Sequence, residues 1–373
     1  MEKNKKIAII TTTINYPKLL DDYAKDSKKY LKKNVELFFV IAGDKKTPKN
    51  TSQLCNKLEK KYLFNFFYLD EKKQNSFLND FKELKKYLPW NSVQRRNVAI
   101  LFALKLKAEL IITIDDDNFL HDKDFLNSHL NQMNGDNKFE LSSKTGWVNI
   151  CKFLKEKNSN NFFHRGYPIS KRYSSQNSTL NKNPKAKKIC VNAGLWLGDP
   201  DVDAVTRLAQ KIVATKYLLK KNFILDNKTS SPFNSQNTAI ISKSFPAYFL
   251  SPFVGRLDDI LASYVYRKVS DHLNYHVSYG KPIVVQHRNY HNIWKDLDKE
   301  RFYTEFLEVF FAVLNNIKLS KKNYFDCTGE LISKIEIEIK KKKYSNLNKE
   351  ELKCFKDIVK GYKIWLKSIQ KII

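Results

Sequence analysis

The stretch that most constrains this chain is Leu110–Leu120, Leu-Ile-Ile-Thr-Ile-Asp-Asp-Asp-Asn-Phe-Leu. Ile111 to Ile114 is the kind of β-branched, apolar run that forms a strand buried on both faces of a mostly parallel sheet. It stops in three consecutive carboxylates, Asp115, Asp116 and Asp117. Ligands of open α/β sheets sit beyond the carboxyl ends of the strands, so a strand that ends in acid places charge where a ligand lies. Strand alternation sends Asp115 and Asp117 to one side and Asp116 to the other. Carboxylates this close repel one another unless a cation lies among them. A hard ion such as Mn²⁺ or Mg²⁺ accepts one or two carboxylates, keeps some waters and binds phosphate oxygens with its remaining positions. The competing reading is an acidic turn that caps the next helix.

The sequence carries a formal net charge of +28 over 373 residues. That excess points to an anionic partner, although many lysines scattered over a solvated surface give the same sum. Nucleic acid is not expected: the basic residues are dispersed and no recognised nucleic-acid module is present. The five cysteines (Cys55, Cys151, Cys190, Cys327, Cys354) show neither CxxC nor zinc spacing, which fits reduced thiols in a cytoplasmic protein. No apolar run is long enough to span a bilayer.

Strands alternate with helices from the start. Ile7 to Ile14, Val35 to Ala42 and Tyr62 to Leu69 read as strands, separated by a helix opening at Pro17 and a second, charged helix. A further helix follows Ser92 and leads into the acidic strand. This order describes a doubly wound sheet. Thr11, Thr12 and Asp44 then fall along the same sheet edge as the acids, with Asp44 either accepting from a uracil ring or merely shaping a Gly-Asp turn. Arg95, Arg96 and Asn97 lie in the first turns of a helix, where cations are locally unfavourable. Arginines there make sense if they meet a diphosphate or the acidic triplet.

Beyond Asn118, Gly135 to Thr145 and Ser174 to Lys188 read as polar loops, and Arg165-Gly166-Tyr167-Pro168 as a turn that either shapes a sugar pocket or simply packs well. Val191 to Leu197 reads as a strand containing Trp196. Asp201 is expected to cap the helix that follows, which leaves Asp199 and Asp203 for sugar hydroxyls or basic partners. Asp258 and Asp259 open another helix, where dipole and capping alone favour acids; either would also serve as a general base toward an acceptor hydroxyl. Pro282 to Val285 is a last short strand, followed by His287 and His291, and neutral imidazole is a good Mn²⁺ ligand. Leu352, Phe355, Val359, Tyr362, Leu366 and Ile369 form one apolar face of a lysine-rich terminal helix. Such a helix either docks on the rest of the chain, pairs two copies, or lies on an anionic membrane.

Seven motifs occur in an order shared with a known family. They are Gly43-Asp44-Lys45-Lys46-Thr47-Pro48, Leu88-Pro89-Trp90-Asn91 with Arg96-Asn97, Asp115-Asp116-Asp117-Asn118, Arg165-Gly166-Tyr167-Pro168, Asp199-Pro200-Asp201-Val202-Asp203-Ala204, Pro232 to Thr238, and Gln286-His287-Arg288-Asn289. Together they resemble the STELLO-type glycosyltransferase-like proteins, over about Ile7 to His291. The Gly-Tyr-Pro and Asp-Val-Asp-Ala pieces also resemble the reversibly glycosylated polypeptides, which include UDP-arabinopyranose mutases. Both resemblances imply a GT-A-type fold, a nucleotide-sugar donor and an Asp-x-Asp metal site. In the second family an arginine shortly after Gly-Tyr-Pro is linked to self-glycosylation, and by spacing Arg172 is its counterpart.

The expectation is therefore an α/β, GT-A-type, Rossmann-like domain over 1–298 with a basic helical region over 299–373. Its function is metal-dependent glycosyl transfer from a UDP-sugar to a glycan or other hydroxyl acceptor. Asp115, Asp117 and His287 hold Mn²⁺ or Mg²⁺. Thr11, Thr12, Asp44, Arg95, Arg96, Asn97, Asp116, Arg165, Gly166, Trp196, Asp199, Asp203, Asn234 and Gln236 contact the nucleotide sugar, and Asp258, Asp259 and Arg172 are the catalytic candidates. A UDP-sugar mutase or self-glycosylating protein, and a non-catalytic membrane-associated scaffold of the same fold, remain open, as does a homodimer.

Overall fold

The computed structural model describes residues 4–135, 139–174, 177–182, 187–219, 221–289 and 291–373. Among them run thirteen strands of one sheet: β1 (Lys5–Thr13), β2 (Val35–Gly43), β3 (Asn65–Leu69), β4 (Leu110–Ile114), β5 (Asn118–Leu120), β6 (Phe139–Ser142), β7 (Leu154–Glu156), β8 (Thr179–Lys182), β9 (Ile189–Gly198), β10 (Ala214–Tyr217), β11 (Phe223–Leu225), β12 (Asn237–Ile241) and β13 (His276–Gln286). The main path is β3-β2-β1-β4-β12-β9-β13-β11-β6-β8. Its first four strands are parallel, as the alternating pattern predicts. Beyond β4 the sheet is mixed: β12 is antiparallel to β4 and β9, whereas β9 and β13 run parallel.

The burial of β4 explains its uniform composition, since all five of its residues are buried. The strand rests between β1 and β12 with the helix Arg96–Lys105 packed nearby. The parallel register of β1 with β2 and β4 brings Thr13, Gly43 and the residues after Ile114 to one edge. That edge carries the acidic triplet.

Several boundaries differ from expectation. Tyr62 closes the helix Thr51–Tyr62, and Leu63 adopts a left-handed conformation (φ 60°) before β3. The last strand is much longer than Pro282 to Val285, running from His276 to Gln286, with a register break that divides its pairing to β9. Two strands, β6 and β8, lie inside the stretches read as loops. They pair with each other at the end of the sheet; β8 is mostly exposed and polar, and β6 alternates Phe139 and Leu141 with polar residues over only four positions, too short a run to read. The remaining parts of those stretches at 136–138, 175–176 and 183–186 are outside the described residues, as is Tyr290.

The C-terminal region forms three helices, Ile293–Asn316, Tyr324–Glu338 and Lys349–Gln370. The last begins with a capping box in which Asn348 and Glu351 satisfy each other's backbone donors. Its apolar face is covered by the chain itself. Trp365 is fully buried, stacks on Phe249 at 5.3 Å and donates from Nε1 to the Phe245 carbonyl at 2.8 Å. Phe355 meets Phe306 edge-on at 4.9 Å. The face that would lie on a membrane is thus spent on internal docking, and the exposed side of the helix is mostly lysine. Among the described residues no helix is long and apolar enough to cross a membrane. All five cysteines are free and buried.

Candidate functional site

A cleft of about 510 Å³ opens at the carboxyl ends of β1, β2 and β4. Asp115, Asp116 and Asp117 all line it, with Thr13, Arg96 and His291 among the other walls. Alternation does not separate the three acids, because the strand ends at Ile114 and the chain turns: the Asn118 N–H donates back to the Asp115 carbonyl at 3.3 Å. Each acid then has its own partner. Asp115 pairs with the buried Arg96 guanidinium. Asp116 accepts from the Thr13 hydroxyl, and from Asn15 Nδ2 at 3.2 Å. Asp117 accepts from Asn118 Nδ2 at 3.2 Å and more loosely from Gln286 Nε2 at 3.4 Å. Tyr23 braces the turn, its hydroxyl donating to the Asn118 carbonyl at 2.9 Å.

The electrostatics follow from this crowding. Burial, joined by the neighbouring Asp115 and Asp116 charges, pushes the Asp117 carboxyl up to about 7. Burial also holds Asp115 above the usual carboxylate range despite the Arg96 guanidinium beside it. Burial opposes the charge on Arg96, but Asp115 outweighs it and keeps that guanidinium protonated.

Behind the cleft, Arg96 starts a buried polar chain. Its Nη1 donates to Ser235, whose backbone N–H and hydroxyl donate to Asp259 at 3.1 and 3.2 Å. Arg165 reaches Asp259 at 3.3 Å and grips Asp201 with two hydrogen bonds of 2.8 and 3.0 Å. Burial alone would raise Asp201, yet Arg165 holds it well below the usual range. Asn234 donates to Asp201 at 2.9 Å and to Gln236 Oε1 at 3.1 Å, and the Gln236 carbonyl accepts from the Asp115 N–H at 3.2 Å. Arg165, Asn234 and Gln236 therefore connect the acidic turn to the interior.

Several expected contacts take other roles. Asp259 is occupied by Arg165 and Ser235, and Asp258 accepts from Gln94 Nε2 at 2.9 Å. Burial and Asp259 together push Asp258 up to about 7, but both acids lie buried behind Arg96. Thr11 is buried within the sheet, while Thr12 and Thr13 reach the cleft. Asp44 borders the cleft, yet its carboxylate accepts from the backbone N–H groups of Lys45, Asn91 and Ser92 at 2.7, 2.8 and 3.0 Å. It ties the end of β2 to the loop before the arginine helix. Arg95 turns the other way, donating to Gln74 Oε1 at 2.7 and 2.9 Å and stacking 3.7 Å above Trp90. Asn97 satisfies the backbone of Leu250 on both sides.

Asp203, rather than Asp201, caps the helix Ala204–Ala209, accepting from the Thr206 N–H at 2.8 Å, and it also pairs with Arg172. Arg172 thus spends its charge on a helix cap. Asp199 pairs with Arg207 at 2.6 Å. Trp196 is buried against His164, with ring centroids 5.2 Å apart. Gly166 serves packing: its φ is +78°, and a Cβ there would meet Ile260 Cγ2 at 2.1 Å. His287 is exposed beside Phe119, and it is His291 that borders the cleft. The Gln286 to Asn289 motif held the missed site signal, since Gln286 reaches Asp117 and Asn289 lines the cleft.

Among the described residues no three His, Cys, Asp or Glu side chains converge as a ready metal site. The donor chemistry nevertheless suits a hard cation. Carboxylates crowd one turn with a single guanidinium bonded among them, and the buried oxygens Asn118 Oδ1 and Gln286 Oε1, on the two side chains that hold Asp117, have no partner. An ion that needs only one or two carboxylates, completed by water and phosphate, fits such an arrangement.

The model of the reversibly glycosylated polypeptide family matches residues 88–372. The chain belongs to that family. The match includes the C-terminal helices, which the motifs alone left outside the resemblance. Among curated relatives, a probable UDP-arabinopyranose mutase 1 of Pisum sativum is 28% identical over 63% of this chain and 60% of its own length. UDP-arabinopyranose mutase 3 of Arabidopsis thaliana is 27% identical over 52% of this chain and 51% of its own length. The chain thus spans between half and two thirds of these relatives. Among solved structures, S. aureus TarS 1-349 in complex with UDP-GlcNAc aligns with TM-score 0.41 and 12% identity over 97% of this chain and 92% of that one. Glucosyl-3-phosphoglycerate synthase of Mycobacterium tuberculosis with Mn²⁺, UDP and phosphoglyceric acid aligns with TM-score 0.40 and 10% identity over 85% and 80%.

Proposed function

We propose that this chain binds a UDP-sugar in the acidic cleft, on a GT-A-type sheet, and isomerises the donor's sugar ring instead of passing the sugar to an acceptor. The observation that carries the reading is the position of Asp258 and Asp259. A transferase that inverts its sugar needs a base facing the acceptor hydroxyl, and both candidates are buried and engaged behind Arg96. Isomerisation needs no acceptor hydroxyl, since the proton lost by the sugar hydroxyl that closes the new ring is balanced by the one gained at the old ring oxygen, and it agrees with the names of the mutase relatives.

In this reading Asp115 and Asp117 hold a Mn²⁺ or Mg²⁺ ion, which would supply positive charge against the diphosphate. Arg96 fixes Asp115, Thr13 fixes Asp116, and Gln286 fixes Asp117, so the acids present a set geometry without rearrangement. Asp44 keeps the loop at Asn91 and Ser92 against the cleft mouth. The test is to incubate the protein with UDP-arabinopyranose and Mn²⁺ and to resolve the products. Interconversion of pyranose and furanose nucleotides of equal mass supports the reading; release of UDP with sugar appearing on an added acceptor replaces it with transfer.

A further inference from the structure

Among the described residues Arg288 is a partly buried arginine with no ion pair or hydrogen bond of its own. It follows His287, whose N–H donates to the Asp117 carbonyl at 3.0 Å, and precedes Asn289, which lines the cleft. Its guanidinium is largely buried, yet neither Nε nor Nη1 has a hydrogen-bond partner. Other arginines in this part of the fold are committed: Arg96 to Asp115, Arg165 to Asp201, Arg207 to Asp199 and Arg172 to Asp203. Asp199 and Asp201 lie near enough to favour the charge on Arg288, but Arg207 and Arg165 oppose it, and burial holds it below the usual arginine range.

Two buried guanidinium nitrogens without partners are costly unless something completes them. Its fork geometry suits bidentate binding of phosphate. The place is also apt: Arg288 is not itself a wall of the cleft, but it lies near enough to Asp117 to favour that carboxylate's charge, and a diphosphate entering beside three carboxylates needs a cation. We propose that Arg288 is the residue that binds the diphosphate of the nucleotide sugar, gripping phosphate oxygens from the end of β13 opposite the acidic turn. This rests on the UDP-sugar reading above for its ligand, but the anion site itself does not.

The test compares wild type, Arg288→Gln and Arg288→Lys by calorimetry with uridine, UDP and inorganic pyrophosphate, each with Mn²⁺. Loss of one charged bidentate contact should weaken UDP and pyrophosphate roughly 10- to 100-fold in Arg288→Gln while leaving uridine unchanged. Arg288→Lys should fall between. Because no hydrogen bond is lost in the empty protein, the melting temperature of Arg288→Gln should equal or exceed wild type; a clear drop would assign Arg288 a structural role and overturn the proposal. Unchanged UDP affinity in Arg288→Gln would also overturn it while keeping the UDP-sugar reading. Wild type that binds pyrophosphate through Arg288 but no uridine compound would remove the UDP-sugar reading and keep the anion site. Binding of neither ligand by folded wild type would remove both.

Discussion

Arg96 and Asp115 form an ion pair across the join between a helix and a strand, closing the start of the helix Arg96–Lys105 onto the end of β4. The arginine lies in the first turn, where the helix dipole disfavours it, and the carboxylate beside it pays that penalty. Arg96→Met should therefore be costly. It leaves Asp115 without its cation and Ser235 without its donor, and the expected loss is about 3 kcal/mol in chemical denaturation. A loss under about 1 kcal/mol would mean the pair does not hold the acidic turn.

Asp117→Asn removes a charge that burial and two neighbouring acids disfavour. The metal-free variant should be more stable than wild type at pH 7.5, on the order of 1–2 kcal/mol. It should also lose Mn²⁺ binding in calorimetry. Stability that falls instead would show that Asp117 is compensated in the empty protein.

Titration gives a related expectation. Asp117 and Asp258 are both raised to about 7, so the folded chain holds protons that the unfolded chain releases near pH 4. Stability from these groups is fully present below the unfolded value and is lost as pH rises towards 7. Mn²⁺ needs the ionised Asp117, so its affinity should climb about tenfold per pH unit from pH 5 to 7 and then level off. A flat profile over that range would place the ion elsewhere.

Gly166→Ala meets Ile260 Cγ2 at 2.1 Å and strains a backbone at φ +78°. A destabilisation of about 2–4 kcal/mol is expected, read as a lower melting temperature. Equal stability would show that the Arg165 turn can move away from the helix Asp258–His272.

The sequence made the sheet edge legible because the evidence for it is local. A uniformly apolar strand that ends in acid, Thr13 and Asp44 at equivalent strand ends, and Ser92 before a helix all survive in the structure. What was not legible depends on partners distant in the chain. Arg95 and Arg96 look alike in sequence, yet Gln74 takes one and Asp115 the other. Asp201 and Asp203 look equally good as caps, but Arg165 and Asn234 occupy Asp201 while Asp203 caps the helix. The side chains of Asp258 and Asp259 looked available because a helix start is normally solvated, and here both are covered. Thr11 and Thr13 differ by two residues on one strand, but the strand's end determines which one meets the cleft.

The most direct test of the central claim is product analysis on one reaction. Protein, UDP-arabinopyranose and Mn²⁺ are incubated without any acceptor, and nucleotides are resolved by anion-exchange chromatography beside the Asp117→Asn variant. The account predicts that wild type converts part of the donor to its furanose isomer with no UDP released, and that the variant converts none. A wild type that leaves the donor unchanged, or that only liberates UDP, would contradict it.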